Sequence, residues 1–403
     1  LQQSAVTDDR DDIAPGDSIV LIVEDDERFA SVLLSVAHEE KYKGVIALRA
    51  DTALQLAKKI VPDAITLDLA LPDMDGWALL DLLKHDLATR HIPVTLISGT
   101  DERQRALRMG AAGFIVKPAE PEQIVRALRD MVAVKKRETR SLLLVEPDRK
   151  AVRGIAETLG QGIEIKDAQN GKQALRLLGK GSFDSVVVGS PVTDIKTPDL
   201  IAKIGTLKAP PPIILYRTTP IARREQVRLK ALAKDVIFRV ANSPEALFDA
   251  AMLFMHREVA ALSSEQREVL DSRRQHYPEL AGKKVLIVDD DIRNIFALTS
   301  VLERHEMQVS YSEHGRDGID SLKRNPDLDI VLMDVMMPEM DGFETMRRIR
   351  AIDEFAKLPM VALTAKAMKG DREKCIEAGA SDYIAKPVNI EQLLSMLRVA
   401  LSQ

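Results

Sequence analysis

One repeated pattern most constrains how this chain can fold. An apolar run ends in a single carboxylate at Asp68 (AITLD) and again at Asp334 (IVLMD), and each is followed by Pro and an Asp-Gly turn (LPDMDG, MPEMDG). Upstream of each lies another apolar run closed by acids, Glu24-Asp25-Asp26 in one place and Asp289-Asp290-Asp291 in the other. Downstream, VTLIS ends in Ser98 and MVALT ends in Thr364, and FIVKP and YIAKP carry Lys117 and Lys386. Asp25 and Asp68 lie 43 residues apart and Asp290 and Asp334 lie 44 apart, while Asp68–Ser98 and Asp334–Thr364 are both 30 apart. Lys117 follows Ser98 by 19 residues and Lys386 follows Thr364 by 22, so one loop differs by three. A period of about 120 residues is far too long for a solenoid and means duplicated domains.

Short apolar runs bounded by turn signals read as buried strands, and stretches such as ALQLAKKI and WALLDLLKH have helical periodicity. Strand alternating with helix predicts an α/β fold, a parallel sheet with helices on both faces. Such sheets keep their chemistry at the carboxyl ends of the strands.

A third copy lies between the two, with its polar positions changed. SLLLVEPDRK matches IVLIVEDDERF, with Pro147 where Asp25 stands. FDSVVVGSP puts Gly189 at the position of Asp68. PPIILYRTT puts Arg217 where Ser98 sits, and DVIFRV is matched to the Lys117 run with Arg239 in its place. The apolar framework survives there and the acid chemistry does not.

The expected layout is an acidic disordered linker over 1–16, a first domain over 17–135, a degenerate one over 140–256, a helical linker over 257–281 and a last domain over 282–403. Residues 132–140 read as the frayed basic end of a helix. Pro244 opens a further helix, and Ser263 with Gln266 form a capping-box pattern in the linker. A surface helix or a homodimer-forming segment both fit that linker.

The 403 residues carry a formal charge of −5, which gives no sign of a nucleic-acid surface. No apolar run reaches the roughly 18 residues of a membrane span and no signal peptide is visible, so the expectation is a cytoplasmic chain without membrane contact. The lone Cys375 rules out an internal disulfide framework and a Cys-based zinc site.

In each outer copy, strand ends bring acids together: Glu24, Asp25 and Asp68, or Asp289, Asp290 and Asp334. Carboxylates this close raise one another's pKa unless a cation joins them. Oxygen-only ligands with room for water suit Mg²⁺ or Mn²⁺. Lys117 or Lys386 offsets a further negative charge, and Ser98 or Thr364 offers a hydrogen bond. A metal, a cation and a donor around one free carboxylate make a site for a phosphoryl group carried on that carboxylate, with Asp68 and Asp334 as acceptors. Asp290 reads as a direct metal ligand and Asp289 as one acting through water. A helix cap, an ordinary loop lysine and an ordinary hydroxyl explain each residue singly, but they do not explain the ordered set occurring twice.

Both outer copies resemble receiver (response-regulator) domains of two-component signalling, on VLIVDDD, LMDVMMPEMDG, ALTA and YIAKPV in one and VLIVEDD, TLDLALPDMDG, LISGT and FIVKP in the other. The middle copy resembles a degenerate pseudo-receiver. The resemblance implies three tandem flavodoxin-like domains, each a five-stranded sheet in order 2-1-3-4-5, the fold for which a chemotaxis receiver is a standard example. It implies phosphoryl transfer from a histidine kinase core or a histidine phosphotransfer domain, and a switch that pairs Thr364 with Tyr383 and Ser98 with Phe114. The middle copy offers Arg217 and Val236 at those positions, so no switch is expected there. It reads as a scaffold, with anion or nucleotide second-messenger binding by Arg217, Arg223, Arg224 and Arg228 as the alternative.

No kinase phosphoacceptor motif, ATP lid, P-loop or DNA-binding helix-turn-helix is present. The receiver part of a hybrid histidine kinase is the favoured context, and a free-standing multi-receiver regulator is the alternative. A haloacid-type phosphatase would need Asp two residues after Asp68 and Asp334, where Ala70 and Met336 stand. Flavin binding would need a phosphate-cradling loop after the first strand, and none is there.

Overall fold

The computed structural model describes residues 7–401 apart from 138, 190–191, 193, 220, 222, 233–235, 259–261, 265, 269, 271–276, 278 and 366–370. The chain forms two compact units. One comprises Leu1–Ala47, Gln55–Asp68 and Lys84–Leu270; the other comprises Leu48–Leu54, Leu69–Leu83 and Asp271–Gln403.

The first repeat has strands β1 (Ile19–Val23), β2 (Lys43–Ala47), β3 (Ala64–Asp68), β4 (Val94–Ser98) and β5 (Gly113–Val116). They alternate with helices α1 (Glu27–Glu39), α2 (Ala50–Ile60), α3 (Gly76–His85), α4 (Arg103–Arg108) and α5 (Pro121–Lys136). The sheet is parallel throughout, in order β2-β1-β3-β4-β5. Every residue of β1, β3 and β4 is buried, as expected where helices cover both faces. Each Ile, Leu or Val so enclosed stabilises the fold by about 1.5–3 kcal/mol.

The middle repeat continues with β6 (Arg140–Val145), β7 (Ile163–Ala168), β8 (Ser185–Val188), β9 (Ile213–Tyr216) and β10 (Phe238–Ala241). Its helices are α6 (Arg149–Leu159), α7 (Gly171–Leu178), α8 (Thr197–Gly205), α9 (Arg223–Leu232) and α10 (Pro244–Phe254). The sheet order, β10-β9-β8-β6-β7, is the same topology read from the other edge.

The last repeat has β11 (Lys284–Val288), β12 (Gln308–Ser312), β13 (Ile330–Asp334), β14 (Met360–Thr364) and β15 (Asp382–Ala385). Its helices are α11 (Ile292–Arg304), α12 (Gly315–Arg324), α13 (Gly342–Arg350), α14 (Asp371–Glu377) and α15 (Ile390–Leu401), and its sheet order is β12-β11-β13-β14-β15. The fold class is therefore three flavodoxin-like sheets, as the resemblance implied.

Local chemistry explains where helices start. In all three repeats the third residue after the first strand caps the next helix: Asp26 accepts from Arg28 N–H, Asp148 from Lys150 N–H and Asp291 from Arg293 N–H. The Asp-Gly turn has two jobs in the last repeat. Asp341 caps α13 by accepting from Glu344 N–H at 2.8 Å. A Cβ on Gly342 would run into the Asp334 carbonyl and lie 2.7 Å from Val335 Cα, so only glycine lets the helix start so close to the strand end.

The acidic stretch expected to be a disordered linker departs from that expectation over residues 8–12. Asp9 N–H donates to Gly44 O at 3.0 Å, and Asp8 and Asp9 carboxylates accept from Ile46 and Gly44 N–H at 2.7 Å each. These residues satisfy exposed backbone groups of β2, an edge strand. In the 257–281 linker, Ser263 N–H donates to Gln266 Oε1 and Gln266 N–H donates to Ser263 Oγ, both at 3.2 Å, which is the capping box read from sequence. Much of the rest of that linker lies outside the described residues.

Candidate functional site

In the last repeat, β11 ends at Val288 and delivers Asp289 and Asp290 beside Asp334, the final residue of β13. Carboxylate oxygens of the three lie within 4.8 Å of one another. Asp289 and Asp334 are buried and Asp290 is exposed. Lys386 follows β15 and bridges the two buried acids, 2.8 Å from Asp289 Oδ2 and 2.9 Å from Asp334 Oδ2. Burial pushes the Asp334 carboxyl above the usual range and the Asp289 charge adds to this, while Lys386 opposes it. Burial works against the Lys386 charge, but the two carboxylates outweigh it and hold the ammonium above its ordinary range. Thr364 ends β14 next to Asp334, and its carbonyl accepts from Lys386 N–H at 2.7 Å, which ties the hydroxyl and lysine strands together.

The first repeat builds the same arrangement. Glu24, Asp25 and Asp68 also lie within 4.8 Å of one another. Lys117 stands 2.9 Å from Glu24 Oε2 and 3.3 Å from Asp68 Oδ2, and its N–H donates to Ser98 O at 2.7 Å. Glu24 is pushed up to about 7, by burial first and then by the Asp68 charge. Three oxygen donors with one of them exposed fit Mg²⁺ or Mn²⁺. Both Lys-Pro bonds, at Lys117-Pro118 and Lys386-Pro387, are cis.

Two contributors escaped the sequence reading. Asn294 Nδ2 donates to both carboxylate oxygens of Asp289 at 3.1 Å. Its counterpart in the first repeat is Phe29, whose ring lies 4.9 Å from Lys117 Nζ. The signal available was the position itself, three residues after the capping acid, one helical turn in. The switch aromatics also differ. Phe114 is buried beside a cavity of about 610 Å³, with the Arg103 guanidinium 5.9 Å from its ring. Tyr383 is buried and its hydroxyl is hydrogen-bonded.

Among the described residues, the middle repeat has no such group. Glu146 takes the place of Glu24, with its N–H on Ala168 O as that of Glu24 is on Ala47 O. Pro147 follows it. A Cβ added at Gly189 would overlap Glu146 Oε2, so the Glu146 carboxylate stands where a side chain on residue 189 would begin. Strand register corrects two assignments. Leu96 pairs with Phe114 and Ala362 with Tyr383, while Leu215 pairs with Val240. Val240, not Val236, therefore holds the aromatic position, and three residues on, Ser243, not Arg239, holds the lysine position. Ser243 caps α10, accepting from Ala246 N–H at 3.2 Å. Arg239 instead donates to the Arg108 carbonyl at 3.1 and 3.3 Å, at the C-terminal end of α4. Arg217 is taken by Glu225 at 2.9 Å and Thr197 Oγ1 at 3.0 Å, and Arg228 pairs with Asp199. The Arg223 side chain lies outside the described residues.

A five-stranded parallel sheet with an acid cluster, a hydroxyl and a lysine at its carboxyl end defines a class, the receiver domains. The family described as "Response regulator receiver domain" matches residues 20–129 and 285–398, and the chain belongs to that family. It is 37% identical over 119 residues to Protein PilH of Pseudomonas aeruginosa, covering 30% of this chain and 98% of PilH. It is 36% identical over 113 residues to the signal transduction histidine-protein kinase BarA of Escherichia coli, covering 28% of this chain but 12% of BarA. Among solved structures it is 34% identical to the receiver domain of sensor histidine kinase PA1611 from Pseudomonas aeruginosa, described with magnesium in its active-site cleft, at 30% and 100% coverage and a TM-score of 0.29. Among the described residues, no helix is long and apolar enough to cross a membrane.

Proposed function

We propose that the chain is the phosphoacceptor and signal-integration part of a two-component phosphorelay, with Asp68 and Asp334 as acceptors. The observation that carries this reading is the lysine bridging two buried acids at strand ends, present in both outer repeats and lost from the middle one. In the transfer, a carboxylate oxygen of Asp334 or Asp68 forms the bond to phosphorus as the bond to the donor histidine nitrogen breaks, and the electron pair returns to the imidazole. Lys386 or Lys117 neutralises charge on the transferred group, and Thr364 or Ser98 donates a hydrogen bond to it. Glu24, Asp25 and Asp68, or Asp289, Asp290 and Asp334, would hold Mg²⁺ or Mn²⁺. When bound, that ion offsets the negative charge of the phosphoryl oxygens.

Phosphorylation then biases the pairs Thr364/Tyr383 and Ser98/Phe114 and the helix-4/strand-5/helix-5 face of each domain. The domains run over 17–135, 140–256 and 282–403. The partners are a histidine kinase core or a histidine phosphotransfer domain in the cytoplasm, and the identity with part of BarA supports a hybrid-kinase context.

The middle domain acts as a non-phosphorylatable scaffold. Arg239 on the Arg108 carbonyl supports this, as does the Arg90–Asp249 ion pair at 2.7 Å. The second-messenger alternative loses ground because Arg217 and Arg228 already pair with carboxylates.

The test is acetyl phosphate with Mg²⁺, followed by intact mass. Wild type should carry up to two acid-labile phosphates, Asp68→Asn and Asp334→Asn one each, and the double variant none. Label on the double variant would mean other acceptors.

A further inference from the structure

A set of buried polar contacts in the second compact unit has no part in this chemistry. It joins β15 and α15 to the loop and helix that follow Asp68 in sequence. Tyr383 Oη donates to the Pro72 carbonyl at 3.0 Å. Ser395 Oγ donates to the Ala78 carbonyl at 2.9 Å. Arg398 Nε donates to Asp81 Oδ2 at 3.1 Å, and its Nη2 makes a second bond to the same oxygen. Ala78 and Asp81 are three residues apart on one helix, and Ser395 and Arg398 three apart on the other, so each pair presents one face.

The contacts are dry. Ser395 is fully buried, Tyr383 is 2% exposed, and the Arg398 and Asp81 side chains are 6% and 7% exposed. The Tyr277 ring stacks 4.0 Å from the Arg398 guanidinium. A buried ion pair costs both partners their hydration, so either half alone would be strongly disfavoured. That makes the contact specific to a helix carrying an acid at this position. Not every copy is used this way: the matching face of the first repeat, with Phe114, Arg126 and Val134, borders the open cavity already described.

We infer that β15 and α15 of the last repeat form a docking face whose occupant is the 69–83 segment of the first repeat in the same chain, and that this docking links the state of Asp334 to the loop after Asp68. The inference rests on the reading of Tyr383 as the switch aromatic of the last repeat. Docking keeps the Tyr383 ring buried and ties its hydroxyl to Pro72 O, four residues after Asp68. On that switch reading, phosphoryl on Asp334 also favours a buried ring. Two events that favour one state reinforce each other, and the coupling is reciprocal.

The test uses the full chain carrying Asp68→Asn, so that Asp334 alone takes beryllofluoride with Mg²⁺. Fluorine NMR reports loading, and amide exchange reports the 69–83 segment. Loading should slow exchange across 69–83 by about fivefold, the lower end of common allosteric couplings. Tyr383→Phe, which removes only the hydroxyl, and Asp81→Asn, which keeps the volume, should each abolish that slowing, and Asp81→Asn should weaken beryllofluoride binding by the same factor. Unchanged exchange in 69–83 with Asp334 loaded would overturn the coupling. Absence of any fluorine signal would instead sink the acceptor reading. The docking itself is then judged without ligand: Asp81→Asn should speed exchange in both 69–83 and α15, and exchange unchanged in both would refute it.

Discussion

The last and the middle repeats share a fold, a cap and a first-strand acid, yet among the described residues only the last of the two has an acid cluster. In the last, Asp289 shares Lys386 with Asp334. In the middle, the longer Glu146 occupies the space above Gly189, and no lysine follows the fifth strand. The comparison teaches that the lost acceptor is not a hole. Glu146 stands there instead, buried and with its carboxyl pushed above the usual range by that burial. Glu146 also accepts from Asp148 N–H at 3.0 Å and so supports the helix cap.

The sharpest way to break this comparison is to restore the missing acid. Gly189→Asp should not create an acceptor. It should destabilise the chain by about 3 kcal/mol, since it sets a second carboxylate beside the buried Glu146 with no lysine to bridge the two. Urea unfolding followed by acetyl phosphate labelling checks both parts. Adding Glu146→Ala should recover much of the stability, and full stability of Gly189→Asp alone would show that the site is open.

A second test concerns the two outer repeats. Asp289 has an amide partner in Asn294, whereas in the first repeat Phe29 holds that position, its ring 4.9 Å from Lys117 Nζ. Asn294→Ala should cost about 2 kcal/mol, because hydrogen bonds to a charged acceptor are among the stronger ones. Phe29→Ala in the first repeat should leave Glu24 bonded to Lys117 and lose mainly ring packing. Denaturation midpoints of the two variants, measured with and without Mg²⁺, separate these effects.

The smallest effect concerns pH at the junction of the first and middle repeats. His91 is buried with neither ring nitrogen hydrogen-bonded, and burial first, then the charges of Lys135 and Lys84, hold its pKa down to about 4. Glu258 is 3.9 Å from Nε2. The unfolded chain binds a proton at His91 below about 6.5 while the folded chain does not until about 4, so stability should fall as pH drops through that window. The melting temperature should decline between pH 7 and pH 5, and His91→Gln should flatten the decline. An identical slope in the variant would place the acid sensitivity elsewhere.

Sequence by itself determined a great deal of this protein. Short apolar runs could only be buried strands, alternation with helical stretches demanded a parallel sheet, and the order of acid, hydroxyl and lysine was legible because each ends a strand and so converges at one edge. Those are local properties, carried by spacing along the chain.

Three things lay beyond local spacing. The loop before α10 is shorter than its counterpart and DVIFRV reads like the Lys117 run, so the apolar pattern alone points to Arg239, and only strand pairing places Ser243 at the lysine position. Asn294 and Phe29 gained meaning only when a helix turn brought them against the acid and the lysine. The embrace of Pro72, Ala78 and Asp81 by Tyr383, Ser395 and Arg398 joins residues more than 300 apart, and only the packed structure shows it. The physical reason is the same in each case: hydrogen-bond pairing and burial are settled by which surfaces meet, and a linear pattern does not encode the meeting.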